Sequence, residues 1–278
     1  MAKTKLNHIF ERREKKYRLT KEQFQRVYVA LLEHMHADKY GKHTICSLYY
    51  DTDDYYLIRT SNEKPVYKEK FRLRSYGTPN DDSTVFLELK KKYDGVVYKR
   101  RESLTMYSVQ KYLNDGHLKV LDKEPNQIMM EIDWFMNRYQ LAPKVMVAYD
   151  RIALYGKEES AFRVTFDFDI RWRDYDLDLR YGDYGNPLIA TDECMMEVKA
   201  LGAIPVWLTE ILSRERLYST SFSKYGIIYK QFIAPKNIPV TKSMLHSLVH
   251  ANTTYNLGEA TQKLRGAQKQ KGVTYHVG

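Results

Sequence analysis

Charge falls on every second residue in several stretches of this sequence, and that spacing constrains the fold more than any other feature. Successive side chains of a β-strand point to opposite faces, so a charge repeated at a period of two paints one face. Arg12, Glu14 and Lys16 share a face in this way, as do Lys68, Lys70, Arg72 and Arg74. The same spacing pairs Glu88 with Lys90, Lys99 with Arg101, Tyr149 with Arg151, and Glu197 with Lys199. The opposite faces are apolar, with Phe71 and Leu73, Leu87 and Leu89, Val96 and Tyr98, and Val198. An ordinary half-exposed sheet turns its charges to water, and such a face mixes signs. Here the repeated positions are mostly cationic, and amphipathic helices elsewhere in the chain need an apolar sheet surface to cover. The reading that satisfies both puts the helices outside and the charges inside.

The rest of the sequence supplies those parts. Alternation over 7–19 leads into a helix opened by Thr20, with Phe24, Val27, Tyr28, Leu31, Leu32 and Met35 at helical spacing. Strand-like runs follow at 43–50, 66–75, 84–91 and 96–103, split by turn-formers such as Gly77-Thr78-Pro79-Asn80 and Asp94-Gly95, as in antiparallel hairpins. Helices are expected at 105–114 and 126–139, strands at 144–153, 161–169 and 192–200, and helices again at 205–214 and 222–233. About eight strands close into a barrel just wide enough for side chains or one ligand. The fold class is therefore α+β, an antiparallel eight-stranded barrel with helices packed outside. Residues 1–235 form the expected domain, and the polar, basic stretch 236–278 reads as a flexible tail.

Composition narrows the ligand to an anion. In 278 residues, 45 Lys and Arg stand against 35 Asp and Glu, a net charge of +10. Such a balance attracts nucleic acid, anionic lipid or polyphosphate without choosing among them. Cys46 and Cys194 cannot build a disulfide framework or a multi-cysteine metal site, so a reducing, cytoplasmic setting is expected. No run approaches the roughly 20 apolar residues of a membrane span, and the first residues carry no apolar signal core, so a soluble chain is expected. Like charges crowded inside a barrel repel by about 4 kcal/mol per pair at 4 Å and an effective dielectric of 20, so an anion must compensate them. Polyphosphate suits lining Arg and Lys, since its oxygens match guanidinium forks. Specific nucleic-acid binding is not expected, because it calls for an outward basic patch. Asp167 and Asp169 follow Arg163 and Thr165 on one strand face, where they could assist a metal or pair with the lining cations, pairing being the expected role. The carboxylates Glu14 and Glu88 are expected either to pair with cations or to hold a divalent ion.

The ordered set Arg12-Arg13-Glu14-Lys15-Lys16-Tyr17, Phe71-Arg72-Leu73-Arg74, Phe86-Leu87-Glu88-Leu89-Lys90, Pro143-Lys144, Tyr149-Asp150-Arg151, Glu197-Val198-Lys199 and Phe222-Ser223-Lys224-Tyr225 resembles the VTC (vacuolar transporter chaperone) polyphosphate polymerase domain of the triphosphate tunnel metalloenzyme superfamily. The resemblance covers roughly residues 8–233. It implies transfer of the ATP γ-phosphate to a growing inorganic polyphosphate chain, with Mn²⁺ or Mg²⁺ as cofactor. Carried over by position, it implies catalytic roles for Arg72, Arg74, Lys90, Arg151 and Glu197. Lys16, Lys99, Tyr149, Arg163, Lys199, Ser223 and Lys224 would bind phosphate or nucleotide, and Glu197 would hold the metal, with Glu14 and Glu88 as further candidates. A membrane-protein partner that draws the product away is also implied. Two departures stand out: the superfamily's Glu-x-Glu-x-Lys reads Arg12-x-Glu14-x-Lys16, and Ser221 stands where fungal members have Lys. The alternatives are a tripolyphosphatase or nucleoside triphosphatase using the same tunnel, and a non-catalytic sensor of polyphosphate or inositol phosphates.

Overall fold

The computed structural model describes residues 12–94, 96–116, 118 and 124–237. The chain divides after Gln231. In the second unit the described residues are 232–237, which include a 3₁₀ turn at Ala234–Asn237. From residue 238 the expected tail lies outside the described residues, as does the part of the first expected strand before residue 12. The first unit, up to Gln231, carries the whole sheet and the α-helices that cover it.

Among the described residues ten strands form one antiparallel sheet: β1 (Arg12–Thr20), β2 (Met35–Ala37), β3 (His43–Asp51), β4 (Tyr67–Tyr76), β5 (Thr84–Tyr93), β6 (Val96–Thr105), β7 (Ala142–Gly156), β8 (Arg163–Arg173), β9 (Asn186–Pro187) and β10 (Glu193–Leu201). Its main path has eight members in the order β1-β10-β8-β7-β3-β4-β5-β6, while the short β2 and β9 attach to β7 and β8. Among the described residues no ladder joins β6 back to β1, so hydrogen bonding leaves a seam. The sheet nevertheless curls, since side chains of β5 and β1 lie within one another's electrostatic reach across it.

Among the described residues five helices cover the outer face, α1 (Lys21–Leu32), α2 (Tyr56–Asn62), α3 (Met106–Asp115), α4 (Gln127–Tyr139) and α5 (Val206–Arg214), while α6 (Lys224–Ile228) turns Lys224 and Tyr225 to the enclosed side, against Asp167 and Tyr49. Thr20 opens α1 with a reciprocal capping box to Gln23, which ends β1 and turns the chain at one residue. Two apolar cores result, both on the outer side of the sheet. In one, Val109 of α3 and Ile132 and Phe135 of α4 pack on Phe71, Leu73, Leu87 and Leu89. In the other, Val27 and Leu31 of α1 and Leu208 of α5 pack on Tyr17, Phe166, Met196 and Val198. The period-two alternation thus sends the apolar residues of each strand outward to helices and the intervening charges inward.

Several elements differ from expectation. The short strands β2 and β9 and the helix α2 are additional. Helix α2 starts where Asp51 accepts from the amides of Thr52, Leu57 and Ile58, at 2.8–3.0 Å, and its entry residue Tyr55 is left-handed at φ +59°. The single helix expected over 222–233 is the five-residue α6 followed by a π turn at Tyr229–Ile233. In β8 the register slips against β7 between Ala148 and Asp150, and Asp169 takes φ +46°. That bulge turns Asp169 away from the face of Arg163, Thr165 and Asp167. Its side chain is 60% exposed and pairs with Arg171, so only Asp167 of the two carboxylates faces inward.

Candidate functional site

The enclosed face is organised around three carboxylates. Glu88 of β5, 2% exposed, lies opposite Arg72 of β4 and Arg101 of β6. Four cations surround it: Arg72 at 2.7 Å, Lys99 at 2.7 Å, Arg101 at 3.0 Å and Arg74 at 3.7 Å. Burial alone would raise its carboxyl pKa, yet Arg72, Arg74 and Lys99 hold it far below the usual range. Asp167 of β8 is equally enclosed and accepts two bonds from Arg151 of β7, at 2.6 and 2.8 Å, and one from Lys224. Its pKa is likewise held low against the opposing effect of burial.

The third carboxylate is Glu197 of β10. It lies opposite Lys16 of β1, and Glu14 lies opposite Lys199, so two carboxylates and two ammonium groups alternate around a small square. Lys199 pairs with Glu197, and Lys16 pairs with Glu14 at 3.1 Å. Burial opposes ionisation of Glu197, but Lys199, Lys16 and Arg151 bring its pKa down to about 2. Lys90 of β5 faces this square. Burial lowers its pKa, and its field comes from Glu14, Lys16, Arg72 and Glu197. Strands at opposite ends of the sheet path therefore address one space.

Two phenols complete the lining. The Tyr49 hydroxyl accepts from Arg72 at 3.1 Å and the Tyr149 hydroxyl from Arg74 at 3.3 Å, while Lys224 sits 4.1 Å over the Tyr149 ring. Burial would raise both phenols; the surrounding cations reverse this, lowering Tyr149 and bringing Tyr49 down to about 8. Lys70 donates to Ser223 at 3.1 Å, and burial among like charges brings its pKa down to about 8 despite the opposing pull of Tyr49.

The segment 219–225 fastens one side of the passage. The Thr220 amide donates to the Lys16 carbonyl at 2.8 Å, and the Lys16 ammonium donates to the Phe222 carbonyl at 2.8 Å. Beyond, Tyr225 stacks on Tyr49 and donates to Asp51 at 2.9 Å. Beside this segment the interior opens through a cavity of about 510 Å³ lined by Glu14, Lys16, Lys68, Lys92 and residues 219–223.

The structure thus gathers Lys16, Arg72, Arg74, Lys90, Lys99, Tyr149, Arg151, Glu197, Lys199, Ser223, Lys224, Glu14 and Glu88 on one enclosed surface. Arg163 stands at the margin of this surface: at the start of β8 it lies opposite Lys199, nearly half exposed and 3.8 Å from Asp38. Lys70, Arg101, Asp167 and Tyr49 also line the surface, although the sequence does not single them out as ligand-binding positions. The first two share a charged face with Arg72 and Lys99, which is the signal that could have found them. Tyr49 carries none, because β3 contains no Lys or Arg to mark its inner face.

Fold and lining together define an α+β protein whose curled antiparallel sheet encloses a cationic passage. A match to the VTC domain spans residues 11–233, and the chain belongs to that family. Among curated proteins none matches. Solved structures similar to it include a putative adenylyl cyclase from Hippeastrum described as having dominant triphosphatase activity, with 17% identity, 82% of this chain and 97% of that one covered, and a TM-score of 0.47. A putative adenylate cyclase from Vibrio parahaemolyticus shows 13% identity, 78% and 97% coverage, and a TM-score of 0.42. A protein of Pyrococcus horikoshii OT3 shows 12% identity, 79% and 99% coverage, and a TM-score of 0.42. With these scores the family assignment rests on the domain match alone. Among the described residues no helix is long and apolar enough to cross a membrane.

Proposed function

We propose that this chain is a polyphosphate polymerase that moves the γ-phosphoryl group of ATP onto the end of an inorganic polyphosphate chain held in the passage. The observation that carries the reading is the convergence of Arg72 and Arg74 from β4, Lys90 from β5, Arg151 from β7 and Lys16 from β1 on one space whose own carboxylates are outnumbered. In the reaction a terminal oxygen of the acceptor forms a bond to the γ-phosphorus while the bond from that phosphorus to the β,γ-bridging oxygen breaks, and ADP leaves. A terminal phosphate oxygen is already ionised near neutral pH, so no protein base is required, and the chain's contribution is positioning and charge neutralisation. Arg72, Arg74 and Arg151 offer forked donors to non-bridging oxygens, and Lys90 and Lys16 add ammonium charge along the held chain. Tyr149, Lys99, Lys199, Ser223 and Lys224 hold the phosphates before and after the transferred one.

A divalent ion fits this donor set in one place. Among the described residues no three metal-binding side chains cluster. Mg²⁺ and its like, however, are commonly held by one or two carboxylates together with substrate phosphates. Glu197 and Glu14 meet that requirement, with ion-pair partners that a bound triphosphate can take over. Glu88 does not: four cations already surround it, so its assignment as a further metal candidate is replaced by that of a structural counter-ion. A bound Mn²⁺ or Mg²⁺ would supply Lewis-acid neutralisation of phosphate oxygens.

Incubation with ATP and Mn²⁺, followed by sizing of the products, tests the proposal. Long-chain polyphosphate is the expected product, whereas release of orthophosphate with no polymer identifies a triphosphatase and overturns it.

Ligand binding is expected to weaken above pH 8. Lys70 loses its positive charge as pH rises through about 8, and Tyr49 gains a negative one over the same interval. Both changes disfavour an anion, each by about tenfold per pH unit beyond the transition. Measured between pH 7 and 9.5, the tripolyphosphate Kd of Lys70→Arg/Tyr49→Phe should rise less than that of the wild type. Parallel profiles would contradict the assignment.

A further inference from the structure

The inner face changes chemistry along its length. At one end, where β4 begins and β5 ends, it finishes in Lys68 and Lys92, which have no carboxylate within ion-pair distance among the described residues. At the other end it finishes in rings. His43 opens β3, Tyr76 closes β4, and Phe86 lies near the start of β5, with centroids 5.9 Å apart for His43 and Tyr76 and 5.7 Å apart for Tyr76 and Phe86. Tyr40 continues the series, 6.5 Å from His43.

Arg101 ties these rings to the charged interior. Its guanidinium lies 3.8 Å over the Phe86 ring, donates to the Tyr76 hydroxyl at 3.2 Å, and reaches Glu88 at 3.0 Å. Tyr76 is thus held by His43, Phe86 and Arg101, yet it remains 53% exposed. A ring fixed in place and half open to solvent loses little further entropy when another ring is laid on it. Four residues of strand, about 13 Å, separate Tyr76 from Arg72, a distance that a ribose and an extended triphosphate together can bridge.

We infer that this aromatic rim is the nucleobase subsite, with the base stacked on the open side of Tyr76 and the triphosphate running inward past Arg101 to Arg74 and Arg72. The inference rests on the polymerase reading and gives the passage a direction: the nucleoside sits at the ring-lined end, and the polymer extends toward Lys68 and Lys92. Stacking on a ring face reads no base edge, so the subsite accepts any purine nucleoside triphosphate, and inorganic tripolyphosphate gains nothing from it.

The test is calorimetric titration of ATP and, separately, inorganic tripolyphosphate into the wild type, Tyr76→Ala and Tyr76→Phe. Tyr76→Ala should weaken ATP by about tenfold, within the range that loss of a base–aromatic stack produces. Tripolyphosphate should bind all three proteins alike, which also shows that the variants are folded, and Tyr76→Phe should retain the ATP affinity. Equal losses for the two ligands, or an unchanged ATP affinity in Tyr76→Ala, would overturn the subsite while leaving the polymerase reading in place. A wild type that binds neither ligand would end both.

Discussion

Arg72→Ala and Glu197→Gln are both expected to lower polymer formation by about 10² to 10³, the usual loss when one preorganised electrostatic contact to the transferring group is removed. They should differ in binding. Arg72 lies between Tyr49 and Glu88 on the inner face of β4, so its loss removes a forked phosphate donor and weakens tripolyphosphate in the absence of metal. Glu197→Gln removes a negative charge beside Lys199 and Lys16 and should leave that metal-free affinity equal or higher. Rate measurements with ATP and Mn²⁺, paired with metal-free titrations, separate the two roles. If Glu197→Gln keeps full polymer formation, Glu197 takes no part in the transfer; a wild type that binds tripolyphosphate tightly and forms no polymer would be a sensor rather than an enzyme.

Glu88→Gln is expected to act in opposite directions on stability and on affinity. Four cations converge on this one buried carboxylate. Removing one member of a buried ion pair typically costs about 3 to 5 kcal/mol, because the remaining charge is left uncompensated. The free variant should therefore unfold at lower urea concentration than the wild type. Its unpaired Arg72, Arg74, Lys99 and Arg101 should in turn hold tripolyphosphate more tightly, and a ligand that binds only the folded state returns stability as RT ln(1 + [L]/Kd). Saturating tripolyphosphate should therefore narrow the stability gap between variant and wild type. A variant destabilised equally with and without ligand would show that these cations do not serve an anion site.

Much of this was legible because strand geometry is rigid. A charge at every second residue of β4 fixes the face of Lys68, Lys70, Arg72 and Arg74 whatever their neighbours do, and the eight strands of the main path follow from that alternation and the turns between them. Other features depend on contacts distant in sequence. Glu88 is a counter-ion because β4 and β6 flank β5 in this particular register. Asp169 leaves the inner face because of a single bulged residue, to which a period-two pattern is blind. Helix α2 depends on a carboxylate, Asp51, lying outside the helix it caps. The irregular stretch after β8 is organised by Arg173, a fully buried guanidinium bonded to the carbonyls of Asp176, Asp178 and Tyr184, which lie in other turns of the chain.

Two adjacent lysines of β5 offer the most direct measurement of whether an inward face binds the anion. Lys90 points into the passage toward Glu14, Lys16 and Glu197, whereas Lys91 points to the helical layer, 2.7 Å from Glu131 of α4. Titration of tripolyphosphate should show Lys90→Ala weakened by about tenfold, the order of one charge-assisted contact, and Lys91→Ala indistinguishable from the wild type. Equal losses in the two variants would mean that the anion is drawn by overall charge, not by an enclosed site, and would contradict the account at its centre.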